Sequence, residues 1–141
     1  MDTLKLPQQN EILLEAFEYL DKGWSVIPIH PTKKLPLIKW KEYQSRHATE
    51  DELNNWFTQF PDAQIAVVTG SISSLIVVDA DSDDAKLFCK ANNLSSPFAV
   101  KTTRGMHYYF AHPKNGYRKK NATNLYGVKH LDLRGDGGYV L

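Results

Sequence analysis

The sequence predicts a mixed α/β domain of the α+β class, because apolar stretches of two different periodicities follow one another along the chain. Leu75–Ala80 is a short, continuous apolar run of the kind that forms a buried strand. Asn10–Asp21 instead has apolar residues at helical spacing, and Gly23 is placed to end that helix. With 141 residues, 42% of them hydrophobic, the chain has the size of one compact domain over residues 1–141.

The remaining elements follow in order from apolar periodicity and from turn and capping residues. Thr49–Glu52 has the form of a capping box and predicts the start of a second helix. Ser82 is placed to cap a third helix that runs to about Ala91. The predicted strands, besides the first run named above, are Trp24–Ile29, Ile65–Val68, Phe98–Thr102, His107–Ala111, Leu131–Arg134 and Tyr139–Leu141.

Charge and composition exclude several classes of protein. The net charge of +1 gives no overall basic field, so a nucleic-acid contact must come from a local patch such as Arg118–Lys120 or Lys33–Lys34. Such a basic run is equally well explained as solvated surface. Cys89 is the only cysteine, which excludes an internal disulfide and a cysteine-rich zinc knuckle. No apolar run reaches the length of a membrane span, and no signal peptide begins the chain, so we expect a soluble, cytoplasmic domain.

Two carboxylates lie at the end of the apolar run Leu75–Ala80. Asp79 and Asp81 are two residues apart, so on a strand they share one face of the sheet. Two anions held this close repel each other without a cation, and Mg²⁺ takes carboxylate oxygens together with substrate phosphates. The alternative is a strand end with two solvated acids, and the pair alone does not decide between them.

A second cluster of polar residues surrounds a predicted turn. Gly105 permits a tight turn or a close backbone approach, and His107 begins an otherwise aromatic strand. Lys101 and Arg104 add positive charge, which a triphosphate requires in its binding site. A lone histidine in this position is more often a hydrogen-bonded core residue.

A third cluster lies in the last part of the chain. Asp132 falls inside an apolar strand, where an unpaired carboxylate is costly, so it needs a partner. A metal ion is one candidate. Arg134, on the same face of the strand, is the other, and an Asp132–Arg134 pair would be purely structural.

The combination and order of these clusters resemble the primase-polymerase domain at the amino end of bifunctional phage, plasmid and mobile-element replication proteins, within the archaeo-eukaryotic primase superfamily. The resemblance spans nearly the whole chain. Its three motifs are an apolar run ending in D-x-D, a small-x-His triplet, and an apolar residue followed by an acid. The matching residues are Gly23–Pro28, Lys34–Leu37, Trp40, Trp56–Phe57, Ile65–Gly70, Asp79, Asp81, Gly105–His107 and Leu131–Asp132.

The resemblance implies a βαββαβ-type catalytic core, similar to an RNA-recognition motif, with an added amino-terminal α/β unit. It implies that Asp79, Asp81 and Asp132 hold two Mg²⁺ or Mn²⁺ ions and that His107 contacts the triphosphate of an incoming NTP or dNTP. The implied reaction is two-metal nucleotidyl transfer on a DNA template and primer. Arg104, Lys101, Gly105 and Arg134 are further candidates for the nucleotide site, suggested by the residues themselves.

Family members usually continue past the final Gly-Gly-Tyr-Val segment and often carry a helicase region in the same polypeptide. We therefore expect a domain cut short at its carboxyl side, with a helicase domain as a candidate partner. Three functions remain open: a primase-polymerase, a degenerate module that binds nucleotide or single-stranded DNA without turnover, and a different metal-dependent phosphotransferase or nuclease.

Overall fold

The structure, a computed structural model, describes residues 8–113 and 121–141. The chain divides into two compact units: an amino-terminal unit, which comprises the residues up to Val68 together with Leu141, and a carboxyl-terminal unit, Thr69–Val140. That both belong to one domain stays a prediction. The basic run Arg118–Lys120 lies outside the described residues. Within the described ranges, no helix has the length and apolar character that a membrane crossing requires.

The amino-terminal unit contains the four elements that capping and apolar periodicity predicted for it, two helices and two strands. β1 and β2 are antiparallel, with Ser25 opposite Val68 and Ile29 opposite Gln64. Every residue of β1 is buried, as expected for a strand that packs on both faces. The elements are α1 (Gln8–Asp21), β1 (Ser25–Ile29), α2 (Glu50–Gln59) and β2 (Gln64–Val68).

The carboxyl-terminal unit is built on a four-stranded antiparallel sheet in the order β4-β5-β3-β6. All predicted elements form, and the α+β prediction is confirmed. β4 is shorter than predicted because Thr102 belongs to the turn that follows, where its N–H donates to the Gly105 carbonyl at 3.0 Å. The elements are β3 (Leu75–Ala80), α3 (Asp83–Ala91), β4 (Ala99–Lys101), β5 (Met106–Ala111), β6 (Leu131–Arg134) and β7 (Tyr139–Val140).

One face of this sheet packs against α3. Ser82 caps that helix by accepting a hydrogen bond from the Ala85 N–H at 3.0 Å, as predicted. The core between helix and sheet consists of buried residues from α3, β3, β5 and β6: Val78, Ala80, Ala85, Cys89, Tyr108 and Leu131. Burial raises the pKa of the Cys89 thiol, so this cysteine is an unreactive core residue in the folded unit. Because strand residues alternate between faces, Asp79 is directed away from this core.

The start of α2 is held by a network of hydrogen bonds around Glu52. Thr49 and Glu52 form the predicted capping box, in which each side chain accepts a hydrogen bond from the other residue's N–H. Arg46 donates to Glu52 Oε1 at 2.7 Å, and the Tyr43 hydroxyl also donates to the carboxylate. The hydrogen bonds from Arg46 are the main cause that lowers the pKa of Glu52 to about 2.

We expect Glu52→Gln to lower the free energy of unfolding by about 1–2 kcal/mol at pH 7, since the side chain is partly exposed and its ion pair is screened. A carboxyl group with a depressed pKa in the folded chain stabilises above its ordinary pKa. The difference between the two proteins should therefore stay constant from neutral pH down to the ordinary carboxyl pKa of 4.5, and it should vanish as the pH falls from there to about 2. Urea unfolding at a series of pH values measures it. Glu50→Gln, in the same first turn, is the control, and an equal loss there would contradict the network.

A candidate active site on the four-stranded sheet

Three polar residues of the predicted motifs form one row across adjacent strands. Asp79 on β3 lies directly opposite His107 on β5 and directly opposite Asp132 on β6. Directly opposed residues of antiparallel strands have their side chains on the same face of the sheet. We call His107, Asp79 and Asp132 the central row. Residues that are far apart in the sequence are therefore neighbours on the face that does not carry α3.

The central row is shielded but remains open to a ligand. The side chain of Asp79 is 17% exposed, that of Asp132 22% and that of His107 13%. These fractions are well below those of ordinary surface acids, so charge on these groups is only partly screened by water. None of the three side chains is completely enclosed.

Asp81 lies just beyond the end of β3, on the same side as Asp79 by strand alternation. Its N–H donates to the His130 carbonyl at 2.9 Å, which ties it to the residue before β6. Its Oδ2 accepts an ion pair from Arg104 Nη2 at 2.8 Å. The structure thus brings two of the predicted site residues, Asp81 and Arg104, into direct contact.

Arg134 lies beside both acids of the central row. Its Nη2 is 3.5 Å from Asp132 Oδ2 and 3.9 Å from Asp79 Oδ2. The guanidinium group therefore offsets the repulsion between the two carboxylates. The Asp–Arg partnership considered from the sequence is present, and it includes Asp79 as well.

His107 is not a fully hydrogen-bonded core histidine. Its Nε2 faces Asp79 Oδ1 at 3.4 Å. Its Nδ1 is buried without a hydrogen-bond partner among the described residues. His112 Nδ1 is likewise buried without a partner among the described residues, so this feature is shared by both histidines.

Gly105 allows the β4–β5 turn to approach the end of β3. A Cβ atom at this position would lie 1.7 Å from the Ala80 carbonyl oxygen. The close backbone approach suggested by the sequence is therefore made to the chain itself, immediately before Asp81. Lys101 is opposite Met106, so its side chain leaves β4 on the other face from His107. The structure does not bring Lys101 to the central row, and its role in nucleotide binding stays a prediction.

Two asparagines that the sequence analysis did not select hold the region around β6. The Asn124 N–H donates to Asp132 Oδ1 at 3.0 Å, from a residue in the left-handed conformation. Asn121 Oδ1 accepts from the Gly135 N–H at 2.8 Å. Asparagine tolerates left-handed backbone and accepts hydrogen bonds from nearby N–H groups. The preference of asparagine for such turns could have marked both residues in the sequence, but it does not reveal which residue each of them contacts.

The carboxylate oxygens of the three acids suit a hard cation, but the three side chains do not form a complete set of metal ligands in this structure. Carboxylate oxygens are the ligands that Mg²⁺ and Mn²⁺ prefer. In residues 8–113 and 121–141, no group of three or more His, Cys, Asp and Glu side chains is close enough to hold a metal ion. Guanidinium groups contact oxygens of Asp79, Asp81 and Asp132 instead. A cation would therefore bind here only if the arginines gave up these contacts.

Comparison with known proteins adds one positive finding. A family model described as bifunctional DNA primase/polymerase, N-terminal, matches residues 16–141. A search of curated proteins found no match to the chain. The matched region includes every residue of the central row, together with Asp81, Arg104 and Arg134.

We expect Gly105→Ala to lower the free energy of unfolding by about 1–3 kcal/mol, because the added methyl group overlaps the backbone at the end of β3. Thermal or urea unfolding measures the loss. Thr103→Ala, at an exposed position of the same turn, is the control and should change stability little. Equal stability of the two variants would contradict the close approach.

Proposed function

The chain belongs to the bifunctional DNA primase/polymerase N-terminal family, and we propose that it extends a primer on a DNA template by nucleotidyl transfer. The observation that carries this proposal is the central row. The family's region contains three acids and a histidine, and strand register aligns two of the acids and the histidine side by side. A cation bound by the acids of this face would be placed to bind the phosphates of a nucleotide as well.

The proposed cofactor is Mg²⁺ or Mn²⁺, with Asp79, Asp81 and Asp132 as its ligands. In two-metal nucleotidyl transfer such ions stabilise the attacking 3′-hydroxyl oxygen and the departing pyrophosphate. The chain's own contribution is to hold three carboxylates on one face of a sheet, at positions set by the backbone of β3 and β6. The Asn124 N–H donates a hydrogen bond to Asp132 Oδ1 and thereby orients that carboxylate.

The two arginines have a proposed role that depends on the acids. Arg104 and Arg134 contact carboxylate oxygens of the same three residues. If these oxygens held a cation, the two guanidinium groups would lose their carboxylate partners and their N–H donors would become available. Guanidinium N–H groups bind phosphate oxygens in charge-assisted hydrogen bonds, so the released arginines are suited to the triphosphate.

His107 is the proposed donor to the triphosphate. Its Nε2 is the ring atom that faces Asp79, at 3.4 Å from Asp79 Oδ1. With Asp79 acting as a ligand of a cation, Nε2 would be free of its carboxylate partner and could donate to a phosphate oxygen.

The substrates proposed are a DNA template with its primer, and an NTP or dNTP. The biological setting proposed is replication of a phage, a plasmid or another mobile element, with a helicase domain in the full-length protein as partner. These assignments rest on family membership. The central row supports the chemistry and carries no information about the setting.

We expect Asp79→Ala to abolish incorporation of labelled nucleotide on a primed template, with a loss of at least about a hundredfold. The variant should remain folded, because the change removes one of two neighbouring negative charges. Primer extension in the presence of Mg²⁺ or Mn²⁺ measures the activity, and thermal unfolding checks the fold. Asp84→Ala, an exposed acid in the first turn of α3, is the matched control and should extend the primer normally.

The same assay separates the other two functions. Shortening of the labelled strand instead of extension would indicate a nuclease. Nucleotide binding without either product would indicate a module without turnover. Full activity of Asp79→Ala would remove the proposal itself.

We expect His107→Ala to weaken nucleotide binding more than it lowers thermal stability. A hydrogen-bonded core histidine shows the reverse, with a stability loss of about 1–3 kcal/mol. His112→Ala is the matched control, because His112 is also buried and its Nε2 pairs with Asp136 Oδ2 at 3.4 Å, away from the central row. Nucleotide titration and melting of both variants give the comparison. A larger melting shift for His107→Ala than for His112→Ala, with unchanged nucleotide affinity, would assign His107 to the core.

A further inference from the structure

An aromatic pair lies on the same sheet face as the central row. The Tyr109 N–H donates to the Phe98 carbonyl at 2.9 Å and so continues the pairing of β4 with β5 by one residue. The rings of Phe98 and Tyr109 are stacked, with centroids 4.8 Å apart and planes at 22°. Tyr109 is two residues from His107 on β5, so the two side chains share a face and lie about 7 Å apart along the strand.

Phe98 is open to solvent, unlike the ring it covers. It is 48% exposed, whereas Tyr109 is 9% exposed. Val100, opposite His107 and on the same face, is 42% exposed. A single exposed apolar residue needs no explanation, but here two of them lie together on an edge strand beside the candidate active site.

The segment that carries this pair is free of acids. From residue 85 to residue 131 the sequence contains no Asp or Glu, a fact that the overall net charge of +1 conceals. Phe98, Tyr109 and His107 all lie within this segment. The basic residues of the same segment are Lys86, Lys90, Lys101, Arg104, Lys114, Arg118, Lys119, Lys120 and Lys129. Arg104 pairs with Asp81 and Lys86 with Asp83, acids that lie just before this segment in the sequence. The excess of positive charge along the segment as a whole favours a polyanion.

We propose that the Phe98–Tyr109 pair is a stacking platform for a base of single-stranded nucleic acid that crosses the β4 edge toward the central row. The proposal rests on the function proposed above and specifies where its template strand is held. A solvent-exposed aromatic ring is a surface on which bases of single strands stack without regard to sequence. A free nucleotide is instead held in a concave site that buries most of its surface. The openness of Phe98 therefore favours the strand over the incoming nucleotide.

The test measures binding of a single-stranded DNA oligonucleotide that contains 2-aminopurine, a base whose fluorescence falls on stacking. EDTA is present, so the result does not depend on catalysis. We expect Phe98→Ala to weaken binding about five- to a hundredfold, the range that corresponds to loss of one stacked base. Phe98→Leu should be nearly as weak, because it keeps an apolar side chain without a ring. Phe98→Trp should restore both affinity and quenching.

Two controls separate stacking from other causes. Leu87→Ala removes a 64% exposed apolar residue of α3 and should leave binding unchanged. The slope of log affinity against log salt should be the same for Phe98→Ala as for the unaltered chain, because a ring contacts no phosphate. If Phe98→Ala fails to fold in a melting experiment, the leucine and tryptophan variants and the quenching of the unaltered chain still decide.

Equal binding by Phe98→Leu and the unaltered chain would overturn the platform, and so would the absence of quenching. Loss of dNTP affinity with unchanged oligonucleotide affinity would assign the pair to the incoming nucleotide and would also overturn it. Failure of the proposed function gives a different result. A chain that binds and quenches the oligonucleotide as expected, but incorporates no nucleotide, contradicts the polymerase and keeps the platform.

Discussion

The pairing register of β3 with its two neighbours is the constraint on which the candidate site depends. Asp79 meets His107 on one side and Asp132 on the other only in this register. A slip by one residue would turn Asp79 toward α3, and it would turn the apolar residues Val78 and Ala80 of the same strand away from α3. The apolar residues under α3 therefore fix the position of the polar residues on the opposite face. The same strand register satisfies both the packing of the core and the geometry of the site.

The charges of the site are balanced by groups that also have affinity for phosphate. Three carboxylates share one face, and Arg104 and Arg134 contact them all. Arginine is suited to both partners, since its planar group binds carboxylate and phosphate oxygens alike. The unit can thus fold with its acids paired and exchange those partners on binding. A site made only of acids would be penalised by repulsion until a cation arrived.

Local signals predicted the elements well, because the information lies in adjacent residues. The capping box at Thr49, the cap at Ser82 and the apolar run before Asp79 each require only a few neighbours in sequence, and all three are confirmed. The sequence also placed Asp79 and Asp81 on one face. It did not reveal that Asn124 binds Asp132 or that Lys101 leaves the sheet on the other face. The first depends on how the segment before β6 folds back onto it, and the second on the register of β4 with β5.

The buried Cys89 has a consequence for how this unit can be observed. Its side chain is fully enclosed between α3 and the sheet whose other face bears the central row. A thiol reagent reaches it only when the helix lifts from β3, and in the described residues and the full sequence no second cysteine competes. The rate of thiol labelling thus counts openings of this one layer. Labelling of Cys89 in the unaltered chain therefore reports how often α3 opens from the sheet that carries the candidate active site.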